Sequence, residues 1–193
     1  MRILGGRHGG RKLRTPSGHG TRPMLAVVRE SIFSIAAPWL EGARVLDLFA
    51  GAGSLGLEAV SRGARHLRSL ETGAEARSVL AANLETLGES EAVELVALDA
   101  LDPNAWGSEP FDLVFLDPPF PLMRQPAGKA RVMRALEALV DGALAHEGLI
   151  VLHVPRELEL EAELPESLAR TAREHGEQAL WYLQRRTDLE SEG

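Results

Sequence analysis

The spacing of apolar residues changes repeatedly along this chain, and each change marks an element. Leu25, Val28, Ile32 and Ile35 recur at intervals of three and four, with Phe33 and Ala36 beside them. That spacing predicts an amphipathic helix opening at Arg22-Pro23 and closing at Pro38, with Thr21 as its N-cap. Short apolar runs then alternate with helical text. Arg44–Phe49, His66–Glu71, Val93–Asp99, Phe111–Asp117 and Leu149–Val154 read as buried strands, with helices at Ser54–Ser61, Ala74–Leu87 and Lys129–Ala145 between them. Strands separated by helices call for parallel pairing through right-handed crossovers. The alternation stops after the fifth strand. Leu168–Arg173, a His175-Gly176 turn and Gln178–Arg185 predict a β-hairpin that adds antiparallel edge strands. The expected fold is α/β and Rossmann-like, a mostly parallel sheet with a C-terminal antiparallel β-hairpin.

Three segments follow from this pattern. Residues 21–187 form the α/β domain, residues 1–20 a basic N-terminal arm, and residues 188–193 a tail expected to fray. The arm is rich in glycine, Gly5-Gly6-Arg7-His8-Gly9-Gly10, and suits either a short hairpin or a segment that orders on binding.

Polar residues sit where such a sheet binds its ligands, beyond the C-terminal ends of the strands. The first strand runs into Asp47-Leu48-Phe49-Ala50-Gly51-Ala52-Gly53-Ser54-Leu55-Gly56, in which Gly51, Gly53 and Gly56 match G-x-G-x-x-G. The second strand ends in Glu71, suited to gripping ribose hydroxyls. The third ends in Asp99, placed to accept from an adenine amino group with the Ala100 N–H nearby. The glycine pattern alone also fits a nicotinamide-dependent oxidoreductase. An aspartate at the strand end would repel a pyrophosphate, however, whereas S-adenosylmethionine carries an ammonium and no phosphate. The three acids together favour a nucleoside site for that cofactor, and no metal is required.

The fourth strand ends in Asp117-Pro118-Pro119-Phe120. Two successive prolines remove two N–H donors and fix φ, so the local carbonyls are rigidly aimed. An exocyclic base NH2 is a poor nucleophile because its lone pair is delocalised into the ring. If the Asp117 carboxylate and the Pro118 carbonyl accept its two hydrogens, the lone pair is freed towards a sulfonium methyl. Phe120 is placed to stack on a flipped base. The gain would come from positioning and electrostatics.

Charge changes the picture of the substrate. The net charge of −7 over 193 residues argues against a polyanion. Residues 1–29 nevertheless hold Arg2, Arg7, Arg11, Lys12, Arg14, Arg22 and Arg29 and no acid, so all 28 acids fall in the remainder. A nucleic acid would be drawn to the arm, through Arg7, Arg11, Lys12 and Arg14, and repelled by most of the body. The competing reading is a basic tail without a partner. The chain has no cysteine, no long apolar run and no secretory h-region, so a cytoplasmic location without a membrane is expected.

The text Asp47-x-Phe49-Ala50-Gly51-x-Gly53-x-x-Gly56-x-Glu58-Ala59, with Asp117-Pro118-Pro119-Phe120, resembles the class I amino-methyltransferases. Arg2-Ile3-Leu4-Gly5-Gly6, Gly10-Arg11-Lys12-Leu13, Arg22-Pro23 and Val28-Arg29-Glu30-Ser31-Ile32-Phe33 are similar to the bacterial 16S ribosomal RNA guanine-N2 methyltransferase family. The resemblance implies a class I methyltransferase domain that uses S-adenosylmethionine to form N2-methylguanosine in small-subunit rRNA. It also implies that Thr21 and Arg22 hold the methionine end of the cofactor and that the arm contacts RNA, either in a ribosomal subunit or in an assembly intermediate. A monomer is expected. The chain departs from the family at Met24-Leu25-Ala26, where more Thr and a charged residue are usual, and at His153-Val154-Pro155-Arg156, where an acidic or polar stretch is usual. Alternatives are adenine N6 of RNA or DNA, a glutamine amide as acceptor, and a binding module without catalysis.

Other residues carry weaker expectations. Asn83 reads as a tolerated surface or capping residue, because Asn is disfavoured inside helices. His153 reads as structural, with a base or an RNA contact as the alternative. Trp39, Trp106 and Trp181 read as packing residues. Lys129 and Arg131 could reach a phosphate near the site, a solvated helix face being the alternative, and residues 121–128 read as a mobile lid.

Overall fold

The computed structural model describes residues 1–16 and 24–186. Its elements in chain order are α1 (Ala26–Ile35), β1 (Arg44–Asp47), α2 (Gly56–Ser61), β2 (His66–Leu70), α3 (Ala74–Leu87), β3 (Val93–Val96), β4 (Phe111–Leu116), α4 (Phe120–Met123), α5 (Pro126–Ala138), β5 (Leu144–Pro155), β6 (Leu168–His175) and β7 (Gln178–Arg185). The first helix begins later than expected, at Ala26 with Leu25 at its N-cap, so Thr21 does not cap it; Thr21 itself and the tail 188–193 lie outside the described residues. Among the described residues no helix is long and apolar enough to cross a membrane.

Seven strands form one sheet in the order β3-β2-β1-β4-β5-β7-β6. Strands β1 to β5 pair in parallel, and β7 and β6 add antiparallel partners at one edge. The expected mixed sheet with its C-terminal hairpin is thus observed. From β1 the chain steps outwards to β2 and β3, then returns to the other side of β1 as β4. The strand order therefore reverses between β1 and β4.

Alternation of side chains divides the core. Leu46, Val114, Leu116, Ile150 and Leu152 face Val132 and Leu136 of α5. Val45, Leu113, Phe115, Leu149 and Val151 face Val28, Ile32 and Phe33 of α1 and Val60 of α2. Both sheet faces are covered, which is why these strands read as continuous apolar runs.

The second half of the chain departs from the sequence expectation in two places. The helix expected over 129–145 starts at Pro126 and ends at Ala138, followed by a π-turn over Leu139–Ala143. Pro126 sits in the first turn, where its missing N–H costs nothing and its fixed φ suits the helix. The lid expected over 121–128 is instead helical. Met123 is buried, and a Cβ on Gly128 would lie 2.2 Å from the Leu122 carbonyl oxygen, so α4 and α5 pack closely at that glycine.

Residues 1–14 form a hairpin packed on the domain. Arg2 and Lys12 are bridged, and the Ile3 N–H donates to the Arg11 carbonyl at 3.0 Å. Ile3 and Leu13 are buried against Leu57 of α2 and Leu80, Leu84 and Leu87 of α3. The anchor is Glu58, fully buried on α2. Its carboxylate accepts the Leu4 N–H at 2.7 Å, the Gly5 N–H at 2.8 Å and the Arg62 Nε–H at 2.8 Å. The nearly buried Arg29 donates to the Arg2 carbonyl at 3.1 Å.

Removing Glu58 strands these donors beside a buried cation. Glu58→Ala is expected to cost about 3–5 kcal/mol, the usual cost of breaking a buried charged network. Urea unfolding with limited proteolysis of the arm measures this. Unchanged stability with a protected arm would contradict the assigned anchor.

Candidate active site

Where strand order reverses, the backbones beyond β1 and β4 lead away from each other and leave a crevice. Asp47 ends β1. It is almost wholly buried, and its Oδ2 accepts the Gly56 N–H at 3.0 Å. Its Oδ1 is equally buried and has no partner of good hydrogen-bond geometry, although the Phe49 N–H lies close to the carboxylate. Burial pushes the Asp47 carboxyl up to about 7; the charges of Asp117 and Glu71 act in the same direction, and the Gly56 and Phe49 N–H groups oppose them. An unpaired buried carboxylate oxygen is costly. It fits a ligand that brings an N–H or a positive charge, as S-adenosylmethionine does.

The glycine loop divides its labour. Gly51 has φ +55° with open space where a side chain would stand. Gly53 has φ +88°, and a Cβ there would meet Leu80 at 2.4 Å. A Cβ on Gly56 would meet Leu67 at 2.7 Å. Gly53 and Gly56 are thus required by packing, and of the three Gly51 alone is open to a ligand. A loop so occupied by leucines is poorly suited to a pyrophosphate.

Glu71, just past β2, is half-buried. Its Oε2 accepts the Gly51 N–H at 2.9 Å and its Oε1 the Gly73 N–H at 2.6 Å, so the carboxylate is fixed beside the loop with lone pairs to spare. Asp99 is exposed. Its Oδ1 accepts the Leu101 N–H at 2.9 Å, and its Oδ2 pairs with Arg131 at 2.7 Å. Ala100 beside it is buried, and its carbonyl accepts the Trp106 indole N–H at 2.9 Å. Arg131 therefore meets Asp99, and Lys129 meets Glu163 at 2.6 Å.

Asp117 and its motif stand just past β4. Pro118 is buried, Pro119 exposed and Phe120 half-buried at the start of α4. Asp117 Oδ1 accepts from His153 Nδ1 at 2.7 Å, and His153 Nε2 meets Gln178 Oε1 at 2.8 Å. The Phe120 ring lies 5.1 Å from the His153 ring, tilted 60°. Burial alone would push the His153 imidazolium down. The hydrogen bond and charge of Asp117, aided by Gln178, outweigh it and hold His153 above its ordinary value.

The structure brings Glu71 and Asp117 each within electrostatic reach of Asp47, at three strand ends. It does not bring the arm cations there. Arg7 pairs with Glu89 at 2.7 Å and Arg11 donates to the Thr86 carbonyl at 3.1 Å, while Lys12 and Arg14 are exposed near α3. Thr21 and Arg22 lie outside the described residues.

Asn83 corrects the sequence expectation. It is buried, not a surface residue. Its Oδ1 accepts the Arg14 N–H at 2.8 Å, and its Nδ2 donates to the carbonyls of Arg14 at 3.1 Å and Ala52 at 3.0 Å. One amide thus ties the arm to the glycine loop. The available signal was the poor helix propensity of Asn, which marks a residue kept for its hydrogen bonds.

The chain matches, over residues 1–184, the family model described as conserved hypothetical protein 95. The ribosomal RNA small subunit methyltransferase D of Escherichia coli (strain K12) is 38% identical over 166 residues, covering 86% of this chain and 78% of that protein. The solved structure of yhhF from Escherichia coli superposes with a TM-score of 0.82 at 34% identity, covering 96% and 97% of the two chains. A hypothetical protein from Thermus thermophilus gives a TM-score of 0.75 at 31% identity, covering 95% and 99%.

Asp47 yields a pH test. Its proton is held below about pH 7, and a cationic ligand prefers the ionised form. Affinity for S-adenosylmethionine should therefore fall as pH drops from about 7.5 to about 5.5, by up to about tenfold per unit. Asp47→Asn should flatten that dependence. Calorimetry across this range reads it, and a flat wild-type profile would count against the assignment.

Proposed function

The chain belongs to the conserved hypothetical protein 95 family, and on that premise we propose that it methylates the exocyclic N2 of a guanine in 16S ribosomal RNA with S-adenosylmethionine. The observation that carries this reading is a carboxylate on a rigid Asp-Pro-Pro turn, across the strand-order reversal from a buried carboxylate with one oxygen lacking a well-aligned partner. The name of the Escherichia coli relative supports the small-subunit substrate.

The residues divide the work. Asp47, Gly51, Glu71, Asp99 and Ala100, with Thr21 and Arg22, hold the cofactor. Bound there, S-adenosylmethionine supplies an electrophilic methyl group on a sulfonium. Asp117 and the Pro118 carbonyl accept the two hydrogens of the guanine amine and aim its lone pair. Positive charge then collects on that nitrogen beside Asp117, whose carboxylate stabilises it. Phe120 stacks on the extruded base and keeps it in place. The arm, through Arg7, Arg11, Lys12 and Arg14, contacts the RNA. The enzyme acts as a cytoplasmic monomer. Adenine N6 would meet the same acceptors; the names of the relatives specify ribosomal RNA of the small subunit.

Asp117→Ala should lower methyl transfer by about 100-fold or more while leaving cofactor affinity within about threefold. The assay is nucleoside mass spectrometry on small subunits from cells lacking this protein. Retained activity would remove Asp117 from its role. Neutralising Arg7, Arg11, Lys12 and Arg14 together should reduce the slope of log affinity against log salt by about 3. An unchanged slope would assign RNA binding elsewhere.

A further inference from the structure

The Pro-Pro turn fixes the backbone at Asp117 but not the rotation of its carboxylate. That rotation decides whether an oxygen faces the amine. Asp117 is 27% exposed in its side chain, so solvent alone would leave it mobile. A row of side chains instead crosses three neighbouring strands to reach it. Phe115 and Leu116 of β4 pair with Val151 and Leu152 of β5, which brings His153 beside Asp117. His153 pairs with Leu180 of β7, and Gln178 stands two steps further along that ladder opposite Pro155. The resulting chain runs Gln178 Oε1 to His153 Nε2 at 2.8 Å and His153 Nδ1 to Asp117 Oδ1 at 2.7 Å. His153 is 6% exposed and its ring packs against Phe120.

We propose that His153, oriented by Gln178, is a positioning residue for the methyl transfer: it ties down Asp117 Oδ1 and leaves Oδ2 facing the substrate amine, while its ring backs Phe120. This rests on the amino-methyltransferase function above and adds two residues to it. An ionised carboxylate only accepts, so the Nδ1 atom carries the proton in that bond. With the Gln178 oxygen facing Nε2, that nitrogen donates as well. The Asp117 carboxylate and Gln178 favour the charged form of the ring, beside a site where Asp117 and Glu71 both act on Asp47. The other elements packed on the ring present an uncharged amide, Gln178, and an aromatic, Phe120. Support of this kind behind a reacting group is commonly worth one to two orders of magnitude, because a small displacement at the reacting atoms costs that much.

The test compares His153→Leu, His153→Asn and Gln178→Leu in the full chain, with small subunits from cells lacking the protein as substrate. His153→Leu should lower kcat by about 30- to 100-fold, with KM for subunits and Kd for S-adenosylmethionine within about threefold of wild type. His153→Asn retains an amide N–H close to the place of Nδ1 and should recover about tenfold of that loss. Gln178→Leu, on the outer strand pair, should lower kcat by about three- to tenfold. A purely structural histidine would lower Tm without this split, and His153→Asn would not rescue it. The inference is overturned if His153→Leu keeps kcat within about threefold, if its loss lies in KM, or if His153→Asn is no better than His153→Leu. Should His153→Leu fail to fold, Gln178→Leu and a titration of His153 by NMR decide. Asp117→Asn should lower the His153 pKa, because the charge and hydrogen bond of that carboxylate hold it up, and an unmoved pKa would overturn the contact. No methyl transfer by wild type would instead overturn the function itself.

Discussion

The reversal of strand order between β1 and β4 is the constraint on which the rest depends. It places two strand ends side by side with diverging connections, and the chain has put a carboxylate at each. Asp47 is buried there with one oxygen unpaired, Asp117 stands opposite, and Glu71 is fixed at the next strand end. Asp117 and Glu71 both press on Asp47, and the fold holds the group by backbone N–H donors from Gly51, Gly56 and Gly73 to Glu71 and Asp47 and by His153 at Asp117. A site of this kind stores a demand for positive charge. A sulfonium cofactor carrying an ammonium answers it at one end, and the charge that develops on a methylated amine answers it at the other.

The scaffold around the crevice is organised by a few buried polar residues. Glu58 seats the arm, Asn83 ties the arm to the glycine loop, and His153 ties β5 and β7 to Asp117. Each has more than one partner, and the partners lie on different elements. Apolar packing supplies most of the stability, since both sheet faces are covered. The polar residues supply register, fixing where the loop, the arm and the carboxylate stand relative to the sheet.

Much of this was legible in the sequence. Period and run length located all seven strands, because buried parallel strands leave unbroken apolar text and the hairpin leaves alternation around His175-Gly176. The acids at strand ends were visible as Asp47, Glu71 and Asp117. What escaped was whatever depends on contacts distant in sequence. The glycines of the loop looked alike, yet Gly53 and Gly56 answer to Leu80 and Leu67, which no local pattern reveals. The segment after Phe120 looked like a loop because it is punctuated by proline and glycine. Pro126 begins a helix and Gly128 permits a close approach to Leu122, so the same residues that suggested mobility serve packing. Asn83 looked tolerated because its partners, Arg14 and Ala52, come from remote segments.

The row from Asp117 through His153 to Gln178 also sets an order of completion during synthesis. His153 follows Asp117 by 36 residues, and Gln178 follows His153 by a further 25. The glycine loop, Glu71 and the Pro-Pro turn are all translated before either supporting side chain. A nascent chain can therefore close β1 to β4 and shape the crevice while the carboxylate at its centre is still loose. Its direct backing, His153, arrives with the parallel strand β5, and the row is completed only when the antiparallel β7 brings Gln178. The support of Asp117 is consequently finished by the last-made strand pair, although the carboxylate itself belongs to an earlier part of the chain.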